Sequence, residues 1–376
     1  MKKDVVAMVL VGGRGSRLKQ ITKDTAKPAV TFAGKYRLID FVLSNLSNSK
    51  IDTAGIITQY EPHDLMNYIS LGSTWDLDVN EGGVHFLTPY TSMGGEQWQK
   101  GTAHAIKQHF HFIKQYNPKH VLILGGDHIY KMDYRKMIEH HESLGSDLTI
   151  ATFKVNDNPS RYGIIESDAT DKVVSFEEKP ENPKCEQASM GIYVFNTEVL
   201  QKLVFNADHD LLDFGNDIIP YSLKHNYKVY AYKFQSYFRD VGTVESLYEA
   251  NMDLIDNPQF LKLHEYVDFP VYTKSSNLPP HHFGEKCIVN NSLISDGCLI
   301  YGDVYHSVIS SGTYIARDTT VKNCIVYENV RLEEHVKLEN AIVLKNITIP
   351  PHTTLVFDKI TIVDQELLRN LGENNG

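Results

Sequence analysis

The sequence has 376 residues, which is long for a single hydrophobic core and fits two domains. Hydrophobic residues make up 42% and charged residues 22%, the proportions of a water-soluble globular protein. The formal net charge of -10 argues against non-specific binding to nucleic acid or to an anionic membrane, because both need clustered positive charge.

Positive charge is concentrated at the start of the chain. Residues 1–37 carry nine basic and two acidic side chains, a formal charge of +7, so the remaining residues sum to -17. This concentration indicates a small, highly anionic ligand near the N-terminus, although a solvated basic surface would have the same composition.

The cysteines and the first apolar run indicate a cellular compartment. The four cysteines have no zinc-type spacing, and the apolar run Val5–Val11 is too short to cross a membrane. These features predict a protein without disulfides in a reducing compartment, the cytoplasm.

Up to about residue 255, short aliphatic runs alternate with helical patterns. The predicted strands are Val5–Val11, Thr53–Ile57, His120–Leu124 and Leu148–Phe153, and the predicted helices are Asp40–Ser47, His63–Ser70, Thr102–Gln115 and Tyr134–Ser143. Such alternation indicates a parallel sheet covered on both faces, so residues 1–255 are predicted to form an α/β domain. Ligands bind beyond the carboxyl ends of parallel strands, and the loops after Val11, Gln59 and Leu124 are therefore the candidate site.

A second domain follows a proline-containing segment, residues 256–284, which we interpret as a linker. In residues 285–376, aliphatic residues recur six apart: Ile288/Ile294/Ile300, Ile309/Ile315/Val321, Val326/Leu332/Leu338 and Val330/Val336/Ile342. A period of six is typical of the hexapeptide repeat of a parallel β-helix, although an antiparallel β-domain would also place these residues on one face. A short solenoid with an exposed end commonly stacks on another surface, which predicts an oligomer.

The loop after the first predicted strand is rich in glycine and arginine. Its glycines let the backbone approach a phosphate closely, and its arginines add charge-assisted donors; the candidates are Gly12, Gly13, Arg14 and Arg17. The loop is neither a Walker A sequence nor a dinucleotide fingerprint, because Leu18 occupies the third glycine position of the latter. Alone, it would also fit an ordinary tight turn.

Lys27 strengthens this interpretation. It precedes Pro28, and because proline restricts the residue before it, we expect Lys27 on a stiff, extended segment. A rigidly presented lysine beside an anion-binding loop is a better phosphate ligand than a surface lysine.

These residues together resemble the signature of sugar-nucleotide pyrophosphorylases. Further segments narrow the resemblance to bacterial glucose-1-phosphate adenylyltransferases (ADP-glucose pyrophosphorylases): residues 34–41, 43–45, 57–60, 126–134 and 188–193. The resemblance covers nearly the whole chain. It implies an α/β fold in which a mostly parallel-sheet, Rossmann-like nucleotidyltransferase domain is followed by a C-terminal left-handed parallel β-helix.

The resemblance implies that the chain transfers adenylyl from ATP to α-D-glucose 1-phosphate, giving ADP-glucose and pyrophosphate for glycogen biosynthesis. One alternative is a non-catalytic regulatory subunit of such an enzyme, and another is a uridylyl- or thymidylyltransferase on the same scaffold. An acyltransferase site in the β-helix would need a catalytic histidine, for which His306 and His335 are the candidates.

Two aspartates are the candidate metal ligands. Asp127 follows the strand His120–Leu124, and Asp240 precedes a predicted helix, Val244–Leu254. The resemblance implies that both hold Mg²⁺ and that Arg17, Lys27 and Asp127 are catalytic. The alternative for Asp240 is that it caps the following helix. No covalent nucleophile is needed, because the sugar phosphate is largely dianionic near neutral pH.

Substrate contacts also follow from the resemblance. On the sugar side it implies that Lys179 binds the phosphate, that Glu178 binds hydroxyls, and that Gly163 and Ser189 line the sugar. Gln59 is a candidate adenine contact, because an amide can satisfy both donor and acceptor edges, and Trp98 is a candidate to flank the nucleotide. The resemblance places both residues on loops that link the substrate and regulatory sites. Without the resemblance, Glu178 would be a surface acid, Ser189 a strand-edge hydroxyl and Trp98 a buried aromatic residue.

Four residues depart from the family pattern, and two others suggest regulation. Gln99 stands at a substrate-contacting position where the family usually has tyrosine, and Val11 replaces a small alanine next to the glycines. Leu212 and Asn216 replace the usual histidine and lysine. Lys35 and Arg37 lie in a motif where the family commonly binds an anionic activator; the alternative is a salt bridge with Asp40. The resemblance also implies a homotetramer, or a heterotetramer with a paralogous subunit.

Overall fold

The computed structural model describes residues 3–12, 15–23, 25–58, 62–89, 91–92, 95–96, 99–155, 158–263 and 269–373. Contacts divide the chain into two compact units. The first unit contains residues 1–13 and 41–238, and the second contains residues 14–40 and 239–376. The chain therefore passes from one unit to the other at three places.

Regular elements follow one another closely along the chain. The helices are α1 Leu38–Asn48, α2 Pro62–Ile69, α3 Thr102–Gln108, α4 Phe110–Tyr116, α5 Tyr134–Ser143, α6 Thr197–Val204, α7 Ile219–Lys224, α8 Val244–Asp256 and α9 Gln365–Glu373. The strands up to residue 240 are β1 Val5–Leu10, β2 Thr31–Phe32, β3 Tyr36–Arg37, β4 Thr53–Ile57, β5 Gly83–Leu87, β6 Thr91–Ser92, β7 Gly95–Glu96, β8 His120–Gly125, β9 His128–Tyr130, β10 Leu148–Lys154, β11 Gly163–Ser167, β12 Val173–Glu178, β13 Gln187–Asn196, β14 Val229–Lys233 and β15 Phe238–Asp240. Those of the C-terminal region are β16 His282–Phe283, β17 Val289–Asn290, β18 Leu293–Ile294, β19 Leu299–Ile300, β20 Asp303–Tyr305, β21 Val308–Ile309, β22 Tyr314–Ile315, β23 Thr320–Lys322, β24 Ile325–Val326, β25 Arg331–Leu332, β26 Lys337–Val343, β27 Thr348–Ile349 and β28 Thr354–Val363.

The first unit is built on one twisted sheet. Its order is β12-β11-β13-β8-β1-β4-β5, with β10 beside β13 and β14 beside β10. Strands β8, β1, β4 and β5 are mutually parallel, as are β10 and β14, whereas β13 runs antiparallel to β8, β10 and β11. The central strands are buried along their length because helices cover the sheet. The predicted α/β fold with a mostly parallel sheet is confirmed.

One predicted helix is wrong. The periodicity of residues 102–115 predicts a single helix, but the structure has α3 and α4, separated at His109. His109 leaves the helical region with φ -101° and ψ 15°, and its imidazole is buried. Burial, with the charge of His111 adding to it, lowers the pKa of His109 to about 4, so this imidazole is neutral at pH 7. The spacing of apolar residues does not reveal that one residue departs from helical geometry.

The C-terminal part of the second unit is a parallel β-helix. Each short strand pairs in parallel with one a coil earlier, as in Val289↔Val304, Val304↔Val321, Val321↔Leu338 and Leu338↔Leu355. These pairings exclude the antiparallel alternative. The aliphatic residues predicted to point inward are buried from Ile300 onward, but Ile288 is 51% exposed. Its neighbour Val289 holds the inward position opposite Val304, so Ile288 lies opposite Asp303, in the outward-facing column of the coil.

The corners of the coils are occupied by residues with positive φ. Asn323, Asn329, Asn340 and Asn346 have φ of 52° to 60°, a conformation that asparagine tolerates better than most residues. Their side chains bond along the stack: Asn323 Nδ2 donates to Asn340 Oδ1 at 3.3 Å and Asn329 Nδ2 to Asn346 Oδ1 at 3.2 Å. The corners are therefore held by ladders of amides.

The stack ends in an amphipathic helix. Leu367, Leu368 and Leu371 of α9 pack against the β-helix core and cover its last coil. Within the described ranges, no helix combines the length and the apolar character needed to cross a membrane.

Candidate active site

Neighbouring strands of the first unit bring predicted site residues to one edge of the sheet. Gly12 follows β1 and Asp127 follows β8, its direct neighbour in the sheet. The Val11 N–H donates to Ile57 O at 3.0 Å, and the Gly126 N–H donates to Leu10 O at 3.0 Å. The carboxyl ends of these strands are therefore tied together. Four further predicted residues, Gly13, Arg14, Gln59 and Trp98, lie outside the described residues.

Asp127 presents a carboxylate at this edge. Its side chain is 29% exposed, and its Oδ1 atom lies 3.4 Å from His128 Nε2. The ring of His128 in turn packs edge-on against Phe238, with 5.3 Å between ring centroids. Asp127 is thus held on a packed surface while it remains accessible, as a metal or substrate ligand must be.

A second cluster surrounds Glu178 at the end of β12. Gly163 pairs with Glu178 across the β11–β12 ladder, and Gly215 approaches the same carboxylate. A Cβ atom would lie 2.8 Å from Glu178 Oε2 if added at Gly163 and 2.5 Å from it if added at Gly215. The carboxylate therefore occupies space that only two glycines leave open.

Lys179 completes this cluster. It has φ of 47°, its N–H donates to Tyr162 O at 3.1 Å, and its Nζ lies 2.9 Å from Glu178 Oε1. Its side chain is 63% exposed. A carboxylate and an exposed ammonium therefore stand side by side at the end of β12.

The sequence reading did not assign Asp213 or Thr102 to the site. Asp213 accepts hydrogen bonds from the N–H groups of Gly215 and Asn216, at 2.9 and 3.0 Å, and from Thr102 Oγ1 at 2.9 Å. It thereby holds the turn that presses Gly215 against Glu178. The signal in the sequence is an Asp-x-Gly segment immediately before a helix, a pattern too common to stand out alone.

Ser189 and Tyr193 adjoin the same cluster. Ser189 Oγ accepts from the Gly191 N–H at 3.1 Å. Burial raises the pKa of Tyr193, and the charges of Glu178 and Asp213 raise it further, so the phenol stays protonated as a donor. The cluster therefore offers both acceptors and donors to a polyhydroxylated ligand.

Two of the departures from the family pattern, Leu212 and Asn216, lie next to Asp213. Leu212 contributes its backbone, because its carbonyl accepts from the His104 N–H at 2.9 Å. Asn216 Nδ2 donates to Asp213 Oδ1 at 3.3 Å. Gln99 is half-buried. A change of side chain at Leu212 therefore leaves the recorded backbone contact intact.

The second unit holds a separate group of charged residues. Lys27 is only 7% exposed, and its Nζ lies 3.4 Å from Asp240 Oδ1. Contrary to the prediction of an extended segment, Lys27 begins a 3-10 turn, Lys27–Ala29, in which the Val30 N–H bonds back to Lys27 O at 3.1 Å. The preceding residue, Ala26, has the extended backbone. The lysine is nonetheless firmly held.

The loop that carries Arg17 packs beside Lys27. Gly15 has φ of 60°, its carbonyl accepts from Thr22 Oγ1 at 2.8 Å, and a Cβ there would lie 3.3 Å from Lys27 Cβ. Arg17 follows in a 3-10 segment with its side chain exposed. Asp240 does not cap the next helix, since Thr243 and Ser246 form a capping box at the start of α8.

Lys35 precedes the short strand β3, and Arg37 is its last residue. Lys35 is exposed, with its Nζ 5.6 Å from the centroid of the Tyr36 ring. The Arg37 N–H donates to Asp40 Oδ2 at 2.9 Å, and Asp40 is fully buried. Asp40, the alternative salt-bridge partner predicted for these basic residues, therefore binds the backbone N–H of Arg37.

Comparison with known proteins relates these groups to a family. The family model described as nucleotidyl transferase matches residues 6–257, which is more than half of the chain. The chain belongs to the nucleotidyl transferase family. After the nucleotidyl transferase match, residues 278–365 match a GlmU-like C-terminal hexapeptide model.

Three curated relatives of this nucleotidyl transferase are named glucose-1-phosphate adenylyltransferase. The protein of Clostridium acetobutylicum is 48% identical over 324 residues, 85% of each chain. The protein of Bacillus subtilis is 48% identical over 325 residues, again 85% of each chain. That of Geobacillus stearothermophilus is 45% identical over 380 residues, 99% of this chain and 98% of its own.

The histidines of the β-helix have structural partners in this nucleotidyl transferase. His306 bonds through Nδ1 to Asn323 Oδ1 at 2.9 Å and through Nε2 to Asp256 Oδ1 at 3.1 Å. The ring of His335 stacks on His352, a coil histidine that the sequence reading overlooked, with 4.8 Å between centroids. Both histidines named for an acyltransferase site therefore belong to corner stacks.

Proposed function

We propose that this nucleotidyl transferase transfers the adenylyl group of ATP to α-D-glucose 1-phosphate, forming ADP-glucose and releasing pyrophosphate. The observation that carries the proposal is the Glu178–Lys179 pair, a glycine-walled carboxylate 2.9 Å from an exposed ammonium. Such a pair suits a ligand with hydroxyls beside a phosphate. The name shared by the relatives supports adenylyl as the transferred group.

The reaction needs positioning and charge neutralisation rather than a covalent nucleophile. Lys179 binds the phosphate of the sugar, and Glu178 accepts hydrogen bonds from the sugar hydroxyls. A phosphate oxygen attacks the α-phosphorus of ATP; a phosphorus–oxygen bond forms there as the bond to the β-bridging oxygen breaks. Pyrophosphate leaves with the electron pair. No proton has to be removed, because the second pKa of the sugar phosphate is about 6.

Lys27 and Arg17 offset the negative charge of the triphosphate. A buried lysine needs little reorganisation when negative charge develops on the triphosphate, because its position is set before the substrate arrives. Arg17 is exposed and presents planar, bidentate donors. In phosphoryl-type transfers, such preorganised cations supply most of the catalysis.

Asp127 and Asp240 are the residues that would hold Mg²⁺. Their carboxylate oxygens match the preference of this ion, which takes few protein ligands and keeps several waters. The ion, when bound, would neutralise charge on the triphosphate oxygens.

The proposal is tested by measuring pyrophosphate release from purified protein with ATP, glucose 1-phosphate and Mg²⁺. Asp127→Asn should reduce release by at least about 100-fold, since a metal ligand supplies several kcal/mol to the transition state, and EDTA should abolish it. Asp168→Asn, an exposed turn carboxylate, is the matched control and should leave the rate unchanged. Full activity of Asp127→Asn would contradict the metal assignment.

Two further outcomes would redirect the proposal. If UTP or dTTP replaces ATP with higher kcat/KM, the chain is a uridylyl- or thymidylyltransferase. If the protein is inactive alone and active only when mixed with a paralogous subunit, it is the regulatory partner of a heterotetramer.

Regulation is proposed at Lys35, which is exposed, and at Arg37, which is half-buried and lies two residues further along the chain. A phosphorylated metabolite would be bound there by charge-assisted hydrogen bonds. Lys35→Ala should weaken activation by a panel of phosphorylated sugars and acids about tenfold, the value of one such bond, and leave the unstimulated rate similar. Lys345→Ala, an exposed lysine of the β-helix, is the control. An unchanged activator response would remove Lys35 from the effector site.

The biological setting completes the proposal: a cytoplasmic tetramer that supplies ADP-glucose for glycogen. The scattered cysteines support a reducing compartment, since all four are free thiols. Light scattering after size-exclusion chromatography measures the assembly; a monomer would contradict the tetramer.

A further inference from the structure

A strained turn separates β2 from β3 in the second unit. Ala33 has φ of 51° and Gly34 has φ of 82°. The left-handed region is costly for a residue with a Cβ, so Ala33 keeps this conformation only because its surroundings impose it. Backbone strain of this kind is a reason to look for a function of the contacts that maintain it.

Asn251 in α8 maintains the strained residue. The Ala33 N–H donates to Asn251 Oδ1 at 2.9 Å, and Asn251 is only 1% exposed. Asn251 Nδ2 donates to Leu247 O at 2.8 Å, which orients the amide so that its oxygen faces Ala33. Both halves of the amide are therefore used.

Two contacts clamp the same turn from the β-helix. Thr31 Oγ1 donates to Glu328 Oε1 at 2.5 Å. A Cβ added at Gly34 would collide with Ser295 Oγ. The turn is therefore seated between α8 and the β-helix, with little freedom to shift.

The turn and the helix each lead to one member of the Lys27–Asp240 pair. Lys27 lies four residues before Thr31, joined to it by the 3-10 turn Lys27–Ala29. Asp240 lies four residues before α8, whose first turn is fixed by the capping box of Thr243. The buried bond between Ala33 and Asn251 thus closes a loop that includes the 3.4 Å contact of Lys27 with Asp240.

We propose that Asn251 is a positioning residue, which acts through Ala33 to hold Lys27 against Asp240. The inference rests on the proposed function in one respect, that Lys27 acts on the triphosphate. It goes further by assigning a role in turnover to a helix residue that carries no charge and is buried in the second unit.

The test compares three variants of the full-length protein. Asn251→Leu replaces the amide with an apolar group of the same branching, Asn251→Asp retains an acceptor oxygen, and Tyr248→Phe removes a different bond from the same helix, to Asn323 O at 3.2 Å. For Asn251→Leu we expect kcat to fall about tenfold to 100-fold, as a shift of about 1 Å in a catalytic group can cause, with the KM for glucose 1-phosphate unchanged. Asn251→Asp keeps the acceptor for Ala33 but loses the donor to Leu247 O, so it should recover only part of kcat, whereas Tyr248→Phe should retain all of it.

A second measurement does not depend on activity. Lys27 should be acylated slowly by acetic anhydride in the wild type, because its side chain is 9% exposed, and several-fold faster in Asn251→Leu but not in Tyr248→Phe. Mass spectrometry of the peptide measures this. If Asn251→Leu does not fold, Asn251→Ser, which cannot reach Ala33, takes its place.

The outcomes separate the two proposals. Equal kcat and equal Lys27 labelling in all variants would overturn the role of Asn251. Faster labelling in Asn251→Leu, in a protein whose wild type lacks adenylyltransferase activity, would support the positioning of Lys27 and contradict the proposed function instead.

Discussion

The position of the Glu178 carboxylate depends on two neighbouring residues that have no side chain. Its Oε2 atom lies where a Cβ at Gly163 or at Gly215 would be within 2.8 and 2.5 Å. Neither glycine has a left-handed φ, so backbone strain does not explain them. The absent side chains make room for the carboxylate, and Asp213 sets the turn that carries Gly215.

Gly215→Ala should therefore move Glu178 without straining the backbone. We expect the KM for glucose 1-phosphate to rise about tenfold to 100-fold, because a hydrogen bond to a charged group contributes about 1.5–3 kcal/mol. The KM for ATP should stay the same. Initial-rate kinetics with each substrate varied in turn measure both values.

Gly145→Ala is the control for this prediction. Gly145 has φ of 56° and nothing within 4 Å of an added Cβ. This variant should lose about 1–2 kcal/mol of stability for its left-handed backbone and keep both KM values. An unchanged KM for glucose 1-phosphate in Gly215→Ala would show that Glu178 does not bind the sugar from this position.

At the scale of elements, the β-helix depends on its corners as well as on its core. Asn340 has φ of 57°, accepts from Asn323 Nδ2 at 3.3 Å and donates from Nδ2 to Phe357 O at 2.6 Å. The same residue thus relieves the cost of a left-handed corner and bonds the coils before and after it. Similar asparagines recur 17 residues apart, as Asn329 and Asn346 do.

Asn340 variants separate the two contributions. Asn340→Ala should lose about 2 kcal/mol, from two hydrogen bonds and a left-handed residue with a Cβ. Asn340→Gly should lose about 1 kcal/mol, because glycine adopts the corner without strain. Urea unfolding of both variants measures the difference. A glycine variant less stable than the alanine variant would show that corner conformation is not what selects asparagine.

Sequence patterns predicted elements wherever one periodicity persisted. The aliphatic strands and the six-residue repeat were found because every buried position repeats the same signal, as from Ile300 to Ile342. The break at His109 depends on one residue, and the exposure of Ile288 depends on a register in which Val289, one residue later, takes the inward position. Asp213 escaped notice because its role comes from a contact with Thr102, 111 residues away in the chain.

At the scale of the whole molecule, each compact unit is made of two segments that are not adjacent in the sequence. Residues 14–40 belong by contacts to the unit that contains residues 239–376. Their packing partners include Asn251, Ser295 and Glu328. The domain boundaries at residues 255 and 284 stay a prediction, and the second compact unit, which includes residues 239–376, extends across both of them.

This arrangement predicts that the region matching the nucleotidyl transferase family does not fold as a stable fragment. A chain ending at residue 257 would keep that match but would lose Ser295, Glu328 and the coil around Asn323, against which its own segments pack. We expect a fragment that aggregates or unfolds without a sharp transition, because buried surface is left exposed on the turn and on α8. Circular dichroism during urea unfolding measures this.

The control is the full-length chain cut at a protease site inserted in residues 269–277, which keeps every non-covalent contact and should unfold as cooperatively as the intact chain. A fragment as stable and cooperative as the control would mean that residues 14–40 and 239–256 need no β-helix to hold their places, and the grouping of these segments by contacts would then have no energetic meaning.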